Sequence, residues 1–211
     1  MVQEITQWIH QCGKVPVALA VVTACLTTLT HSPTAQALDE DDLQRLIDTG
    51  DCPGCDLEAA DLRRLDLTGA NLEGANLQAA NLFYAVLDGA NLSGADLSSS
   101  NLAYVSAIPI ATERDSDGVP IFRPAQFIGT DLAGALMNYA DFSGAEMMEA
   151  NFEEAYIFKT QFIESQLQRT NFNITFVHDI NLTGANLCGS TYWGGNDYRR
   201  ACNVPVGDLE E

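Results

Sequence analysis

Histidine is nearly missing from this chain. Three occur in 211 residues, and only His178 lies beyond residue 37. A nucleophile activated through a histidine would have to be assembled around that one imidazole. His178 directly follows an apolar residue, Val177, and reads as a surface side chain. Basic residues are scarce as well: Lys and Arg number 10 against 29 Asp and Glu, a formal net charge of −19. Charge of that size keeps a protein soluble and repels nucleic acid and anionic membranes. No basic stripe is present to bind nucleic acid, and no glycine-rich phosphate loop follows a strand. The apolar stretch from Val15 to Leu29 has 15 residues, short of the ~20 that span a bilayer as a helix. These absences predict a protein without catalytic residues, cofactor or metal, and not an enzyme.

That apolar stretch instead has the form of a secretory leader. Residues 1–14 are mostly polar with one lysine, and the stretch ends before Thr30-His31-Ser32-Pro33-Thr34-Ala35-Gln36-Ala37. Ala35 and Ala37 form a small-x-small cleavage site, followed by the acidic start Leu38-Asp39-Glu40-Asp41-Asp42. Residues 1–37 are therefore expected to be a signal peptide. No twin arginine precedes the apolar run, which favours the general secretory route. Val22-Thr23-Ala24-Cys25 has the look of a lipid-attachment site, but the apolar residues continue past Cys25, so this is the lesser reading. After leader removal no stable membrane insertion is expected. Of six cysteines, at 12, 25, 52, 55, 188 and 202, four remain beyond the leader. An even number suits an oxidising compartment.

A period of five governs the rest. From Cys55-Asp56-Leu57 through Ala60-Asp61-Leu62 to Ser100-Asn101-Leu102, every fifth residue is Leu, which makes ten units. A second series runs from Ala125-Gln126-Phe127 to Ala185-Asn186-Leu187, thirteen units with Phe, Leu, Met, Ile or Val at each centre. Neither the helical period nor strand alternation fits this spacing. Each unit has two apolar positions, one small and one large. A chain that turns a corner every five residues would point both inward, leaving the Asn or Asp and the last two residues outside. Such units cannot bury their apolar side singly, so they must stack and pair through the backbone at strand spacing.

The Ala-Asn/Asp-Leu-x-x pattern over residues 55–189 resembles the pentapeptide-repeat family. The resemblance implies an all-β solenoid: a right-handed quadrilateral β-helix with four units per coil, here about six coils and a rod ~28 Å long. The whole sequence resembles exported cyanobacterial members, which have a leader, a short helix, a Cys-Pro-Gly-Cys turn and then repeats, and which sit in the thylakoid lumen or periplasm. Exported location in one of those compartments is what this implies here. Twenty-residue stacking places Phe142 over Phe162 and Phe152 over Phe172, as core ladders. Leu65 and Ile180 are large where small residues are expected, and Thr130, Thr160, Thr170 and Thr175 replace alanine.

The expected organisation is a signal peptide (1–37), a short N-terminal capping α-helix with the Cys-x-x-Cys turn (38–54), repeats (55–104), a loop excursion (105–124), repeats (125–189) and a C-terminal cap (190–211). The helix, running from Asp39 towards Gly50, would turn Leu43, Leu46 and Ile47 to the first coil. The excursion has twenty residues, one coil's worth, so the second series is expected to keep the phase of the first. Glu113, Asp115 and Asp117 before Gly118 resemble part of a calcium loop, but Pro124 stands where the closing Glu belongs, so no calcium site is expected.

On a rod of this form the two cysteine pairs lie at opposite ends. Disulfides tolerate only a few ångströms between Cα atoms, so Cys52–Cys55 and Cys188–Cys202 are the feasible bonds. A redox reading of Cys52 and Cys55 lacks the βαβ pattern it usually accompanies, and a zinc reading lacks two further nearby ligands.

The candidate interaction strip is apolar. Leu136, Tyr156 and Phe176 are spaced by twenty at an outward position, flanked by Tyr139 and Phe158, with Tyr84 and Tyr104 as a second ladder on the neighbouring face if the phase holds. The excursion is expected to fold over the strip with Ile108, Pro109, Ile110, Val119 and Ile121. The alternative cover is a protein partner or a second copy of the chain. Three functions follow in order: an exported scaffold or interaction module, an acidic nucleic-acid mimic that inhibits a topoisomerase as some cytosolic members of the resembling family do, and a thiol-redox protein acting through Cys52 and Cys55. No nucleic-acid partner is expected for the first.

Overall fold

Residues 39–191 are described by a computed structural model; the expected signal peptide and most of the expected C-terminal cap lie outside the described residues. Helix α1 spans Glu40–Thr49. Its start is set by Asp39, whose Oδ1 accepts from the amides of Asp41 (3.0 Å) and Asp42 (3.2 Å), and three acidic residues fill the first turn, where the helix dipole favours them. Gly50 ends it at φ 71°, donating to the Leu46 carbonyl at 2.9 Å. Leu46 is buried and Leu43 packs partly against the core, but Ile47 is 56% exposed, so the apolar face is narrower than the sequence suggests. The helix also satisfies the open end of the solenoid. Asp42 Oδ2 accepts the Asp56 amide at 2.8 Å, whereas one coil further on the equivalent Asn76 amide donates to the Cys55 carbonyl. An unpaired sheet edge is thereby closed by a side chain.

From Asp51 onward the backbone winds in coils joined by parallel bridges at twenty-residue steps, such as Asp56 to Asn76 and Asn81 to Asn101. Four bridges per coil give four sides. The first side is centred on Cys52, Leu72, Leu92, Phe127, Met147, Leu167 and Leu187; the second on Leu57, Leu77, Leu97, Leu132, Phe152 and Phe172. The third side is centred on Leu62, Leu82, Leu102, Met137, Ile157 and Val177; the fourth on Leu67, Leu87, Ala107, Phe142, Phe162 and Leu182. The centres and the small residues two before them make one core, with most of them fully buried. Phe142 stacks on Phe162 (5.7 Å between centroids) and Phe152 on Phe172 (4.7 Å), as the twenty-residue spacing predicts. Buried threonines in the small column satisfy their hydroxyls on backbone carbonyls: Thr130 on Leu92, Thr170 on Leu167, Thr175 on Phe152. Leu65 and Ile180 remain only partly buried at their corner.

The outer Asn and Asp are used twice. Their Oδ1 atoms accept the amide two residues on, as in Asn76 with Gln78 and Asp131 with Ala133. The Asn side-chain amides also donate to the coil before, as in Asn76 to Asp56 and Asn171 to Asn151, both 2.9 Å.

The interruption differs from expectation in extent and phase. Repeats begin one unit earlier, at Asp51-Cys52, and continue one unit further, through Ser106 and Ala107. Across the excursion the pairing steps by 35 residues, Asn91 to Gln126, Asn101 to Leu136 and Ser106 to Asp141. The inserted length is therefore 35 − 20 = 15 residues, three sides' worth, and the second series does not keep the first's twenty-residue phase. The insert forms an antiparallel hairpin, β1 (Ile110–Arg114) and β2 (Pro120–Arg123). It packs on the fourth side: a Cβ added at Gly89 would lie 2.5 Å from Ile110 Cγ1, and one at Gly144 2.7 Å from Pro109. Short parallel strands β3 (Tyr156–Phe158) and β4 (Phe176–His178) lie on the third side.

The glycine contacts yield a matched test. Gly89 (φ +61°) and Gly94 (φ +67°) share a left-handed backbone, but only Gly89 meets the hairpin. Gly94→Ala is expected to cost ~1 kcal/mol for the left-handed alanine. Gly89→Ala is expected to cost about 2–3 kcal/mol, because Ile110 must also move, and to speed tryptic cleavage at Arg114. Urea melts and limited proteolysis of the pair check this; equal losses would place the hairpin elsewhere.

Candidate interaction surface

The 35-residue step brings together what the sequence kept apart. Tyr84 and Tyr104 occupy the same side as Leu136, Tyr139, Tyr156, Phe158 and Phe176, not a neighbouring face. Read coil by coil, the outward residues of the third side are Asp61, Arg63 and Arg64; Asn81, Phe83 and Tyr84; Asn101, Ala103 and Tyr104; Leu136, Asn138 and Tyr139; Tyr156, Phe158 and Lys159; Phe176, His178 and Asp179.

Their rings form continuous ladders. Tyr84, Tyr104 and Tyr139 stack at 4.6 and 5.0 Å with interplanar angles of 14° and 6°. Lys159 continues the column, its Nζ 5.7 Å from the Tyr139 ring centroid and 5.4 Å from that of Phe158, and 4.0 Å from Asp179. Tyr156 stacks on Phe176 at 4.6 Å and Phe158 on His178 at 5.5 Å. Phe83 meets Tyr84 edge-on. The expected cover is not there: the hairpin rides the fourth side, leaving Val119, Ile121 and Phe122 exposed themselves, while Tyr84 (46%), Tyr156 (49%) and Phe176 (53%) stay open. The reason is where the insert leaves and rejoins the coil, at the corner between the fourth side and the next coil's first side.

Backbone strain is concentrated on the second and third sides. The last residue of each unit, Pro109 excepted, is left-handed. The first and fourth sides mostly place glycine there, as at Gly54, Gly74, Gly94, Gly69 and Gly89. The third side has no glycine at that position among the described coils: Arg64, Tyr84, Tyr104, Tyr139, Lys159 and Asp179 all take φ between 52° and 61°. A bulky side chain in that region is disfavoured by roughly 1–2 kcal/mol. Glycine recurring at the fifth position is visible in the sequence, as is its absence there from two units in four apart from Gly134, with aromatic rings filling the gap on the third side alone. Leu136, Tyr156 and Phe176 also forgo the Asn or Asp side-chain bonds made elsewhere.

The charge pattern is equally local. Arg63, Arg64 and Lys159 face Asp61 and Asp179 on this side, 3 − 2 = +1. The second side carries Asp56, Glu58, Asp96, Asp131, Glu153 and Glu154 and no Lys or Arg. Arg63 grips Asp61 through Nε to Oδ1 at 2.6 Å and through Nη2 to Oδ2. That hydrogen bond holds the Asp61 carboxyl below the usual carboxylate range and raises the guanidinium. Two surface hollows lie here, one of about 240 Å³ between Asn138, Phe158, Phe176 and His178, the other of about 470 Å³ among Asp61, Arg63, Arg64 and Phe83.

The remaining sequence candidates lie elsewhere. Cys52 and Cys55 form a disulfide, Cα atoms 5.3 Å apart, at core positions and fully buried. Arg45 covers it, Nε 3.4 Å from Cys52 Sγ and Nη2 against Cys55 Sγ. Asp42 lies close enough to complete a three-donor group with both sulfurs, but the sulfurs bond each other. Cys188 is disulfide-bonded; Cys202, its expected partner, lies outside the described residues. Asp115 Oδ1 accepts the amides of Asp117 and Val119, each at 2.9 Å, which closes the hairpin turn. His178 is exposed, as expected.

A four-sided coil of stacked five-residue units, with ladders inside and one aromatic side, defines a pentapeptide β-helix. The chain belongs to the pentapeptide-repeat proteins: the family of pentapeptide repeats matches in eight copies, over residues 51–78, 75–106 and 125–160. Such proteins are in general structural or interaction modules. Among solved structures it is similar to HetL, a pentapeptide-repeat protein involved in heterocyst differentiation regulation in the cyanobacterium Nostoc sp. strain PCC 7120. Identity is 25%, 70% of each chain is covered, and the TM-score is 0.54. A thylakoid-lumen pentapeptide-repeat protein of Arabidopsis thaliana is 19% identical over 68% of this chain and 92% of that one, TM-score 0.24. The plasmid-mediated fluoroquinolone resistance protein QnrB1 is 19% identical over 62% and 72%, TM-score 0.35. No curated protein matches this chain in sequence. Among the described residues no helix is long and apolar enough to cross a membrane.

Proposed function

We propose that this chain is an exported, non-catalytic interaction module, a right-handed β-helix whose third side is the contact surface for another polypeptide in the thylakoid lumen or periplasm. One observation carries the reading. The third side keeps a contiguous, stacked row of exposed aromatics, among them Tyr84, Tyr104 and Tyr139, at left-handed positions that carry glycine at most places on the first and fourth sides. A contiguous apolar strip on a soluble protein marks a contact site. The leader sequence and the Cys52–Cys55 bond agree with export.

The test is site-specific photocrosslinking in the producing cell. A benzoylphenylalanine at Tyr104 is expected to capture a polypeptide; one at Gln78, on the acidic second side, is expected to capture none. Equal capture from both, or none from Tyr104, removes the third side as the contact surface.

A further inference from the structure

Stacking decides what can dock on the third side. In the Tyr84–Tyr104–Tyr139 column, and in the Tyr156–Phe176 and Phe158–His178 pairs, ring faces are occupied by each other. What reaches solvent is mainly ring edges and hydroxyls, with outer ring faces left only at the ends of the stacks. A sugar or base that needs an open ring face finds little here; a flat, matching protein surface finds a full side.

We infer that the occupant is a second copy of this chain, packed antiparallel, third side against third side. This rests on the reading of that side as a contact surface. The argument is the order of residues along the rod. A two-fold axis lying across the side, between the Tyr104 and Tyr139 coils, keeps each column opposite itself and reverses its direction. Along the left-handed column, Arg64 then faces Asp179 of the other copy, Tyr84 faces Lys159, and Tyr104 faces Tyr139. In the next column Phe83 faces Phe158. Each cation meets a carboxylate or a ring, and both ends of the column are matched at once. Asp61 is already paired with Arg63 within its own copy. The other sides offer no such match. On the second, six carboxylates would confront six. The fourth carries Asp66, Asp88, Asp141 and Glu164 without a Lys or Arg in its coil units. The first side, with Asp51, Glu73, Glu146 and Glu149 against Arg169, is net negative too; in a molecule of net charge −19, the third side is the one that two copies can bring together without net repulsion.

Sedimentation equilibrium of the processed full-length chain, over a concentration series, tests this. The expected result is a monomer–dimer equilibrium. Arg64→Asp and Asp179→Arg are each expected to weaken the dimer by at least about tenfold, since each pair occurs twice in it. The double variant, which restores opposite signs, is expected to return to within about threefold of the wild type. Tyr104→Arg should leave only monomer while keeping a single cooperative melt, since the site is exposed and what it loses within one copy is stacking on Tyr84 and Tyr139. A monomer at every concentration overturns the second copy as occupant, as does a dimer indifferent to all four variants. The contact-surface reading survives either result if the Tyr104 photocrosslink captures a different polypeptide. It falls with the dimer only if that crosslink is also empty.

Discussion

Phe162→Ala is expected to lower stability by ~3–5 kcal/mol, the range for a truncated core phenylalanine. Phe162 is fully buried, stacks on Phe142 and meets Phe152 edge-on at 6.2 Å. Its removal opens a cavity between rings on two sides of the coil. The rest of the core cannot close over it, because backbone bridges above and below hold the coil spacing. Each coil touches only its neighbours, so the damage should stay local. Hydrogen exchange should accelerate in residues 157–191 and change little in residues 55–100. Phe122→Ala, at an exposed hairpin position, serves as the control and should stay within about 0.5 kcal/mol of the parent. Denaturant melts that show less than 1 kcal/mol between the two variants would contradict a Phe-stacked core.

At the opposite end, replacing Cys52 and Cys55 together by serine is expected to cost ~2 kcal/mol, the chain-entropy value for so short a loop. The kinetic consequence is larger. Both sulfurs are buried beneath α1 with Arg45 over them, and thiol–disulfide exchange requires direct attack on a sulfur. Reduction of the native protein must therefore wait for α1 to lift. Leu46 is the buried anchor of that helix, and Leu46→Ala should make lifting easier by at least ~1.4 kcal/mol, a tenfold faster reduction by dithiothreitol. Alkylation followed by intact mass gives the rate. If Leu46→Ala leaves it unchanged, the helix does not gate the bond. Such a gate also argues against a thiol-redox role, which needs an accessible sulfur.

Much of the fold was legible because the repeat encodes it locally. Inward and outward positions recur within five residues. Leu57, Ala60 and Leu62 announce their burial by type alone, and the Phe142–Phe162 and Phe152–Phe172 ladders follow from four units per coil. The capping helix was legible for the same reason, since Asp39 and Gly50 act on their own neighbours. Ile47 stays exposed because the first coil offers α1 only a narrow contact, a fact about the coil and not about the helix.

What tertiary structure alone decided is which residues share a side. Tyr84 and Tyr139 are far apart in the chain and not a multiple of twenty apart, and no local rule relates them. Their column exists because the 110–124 insert leaves and rejoins the coil at one corner, so the register resumes after 35 residues. Where an inserted segment closes its loop depends on which long-range contacts it can make, and the entropy of closure varies only slowly with length. Here Ile110 and Pro109 seat on the glycines of the fourth side. That choice leaves the third side open and aligns its aromatic residues. The sequence determined by itself the coil, its core and its charge; the contact surface came from the place where one hairpin came to rest.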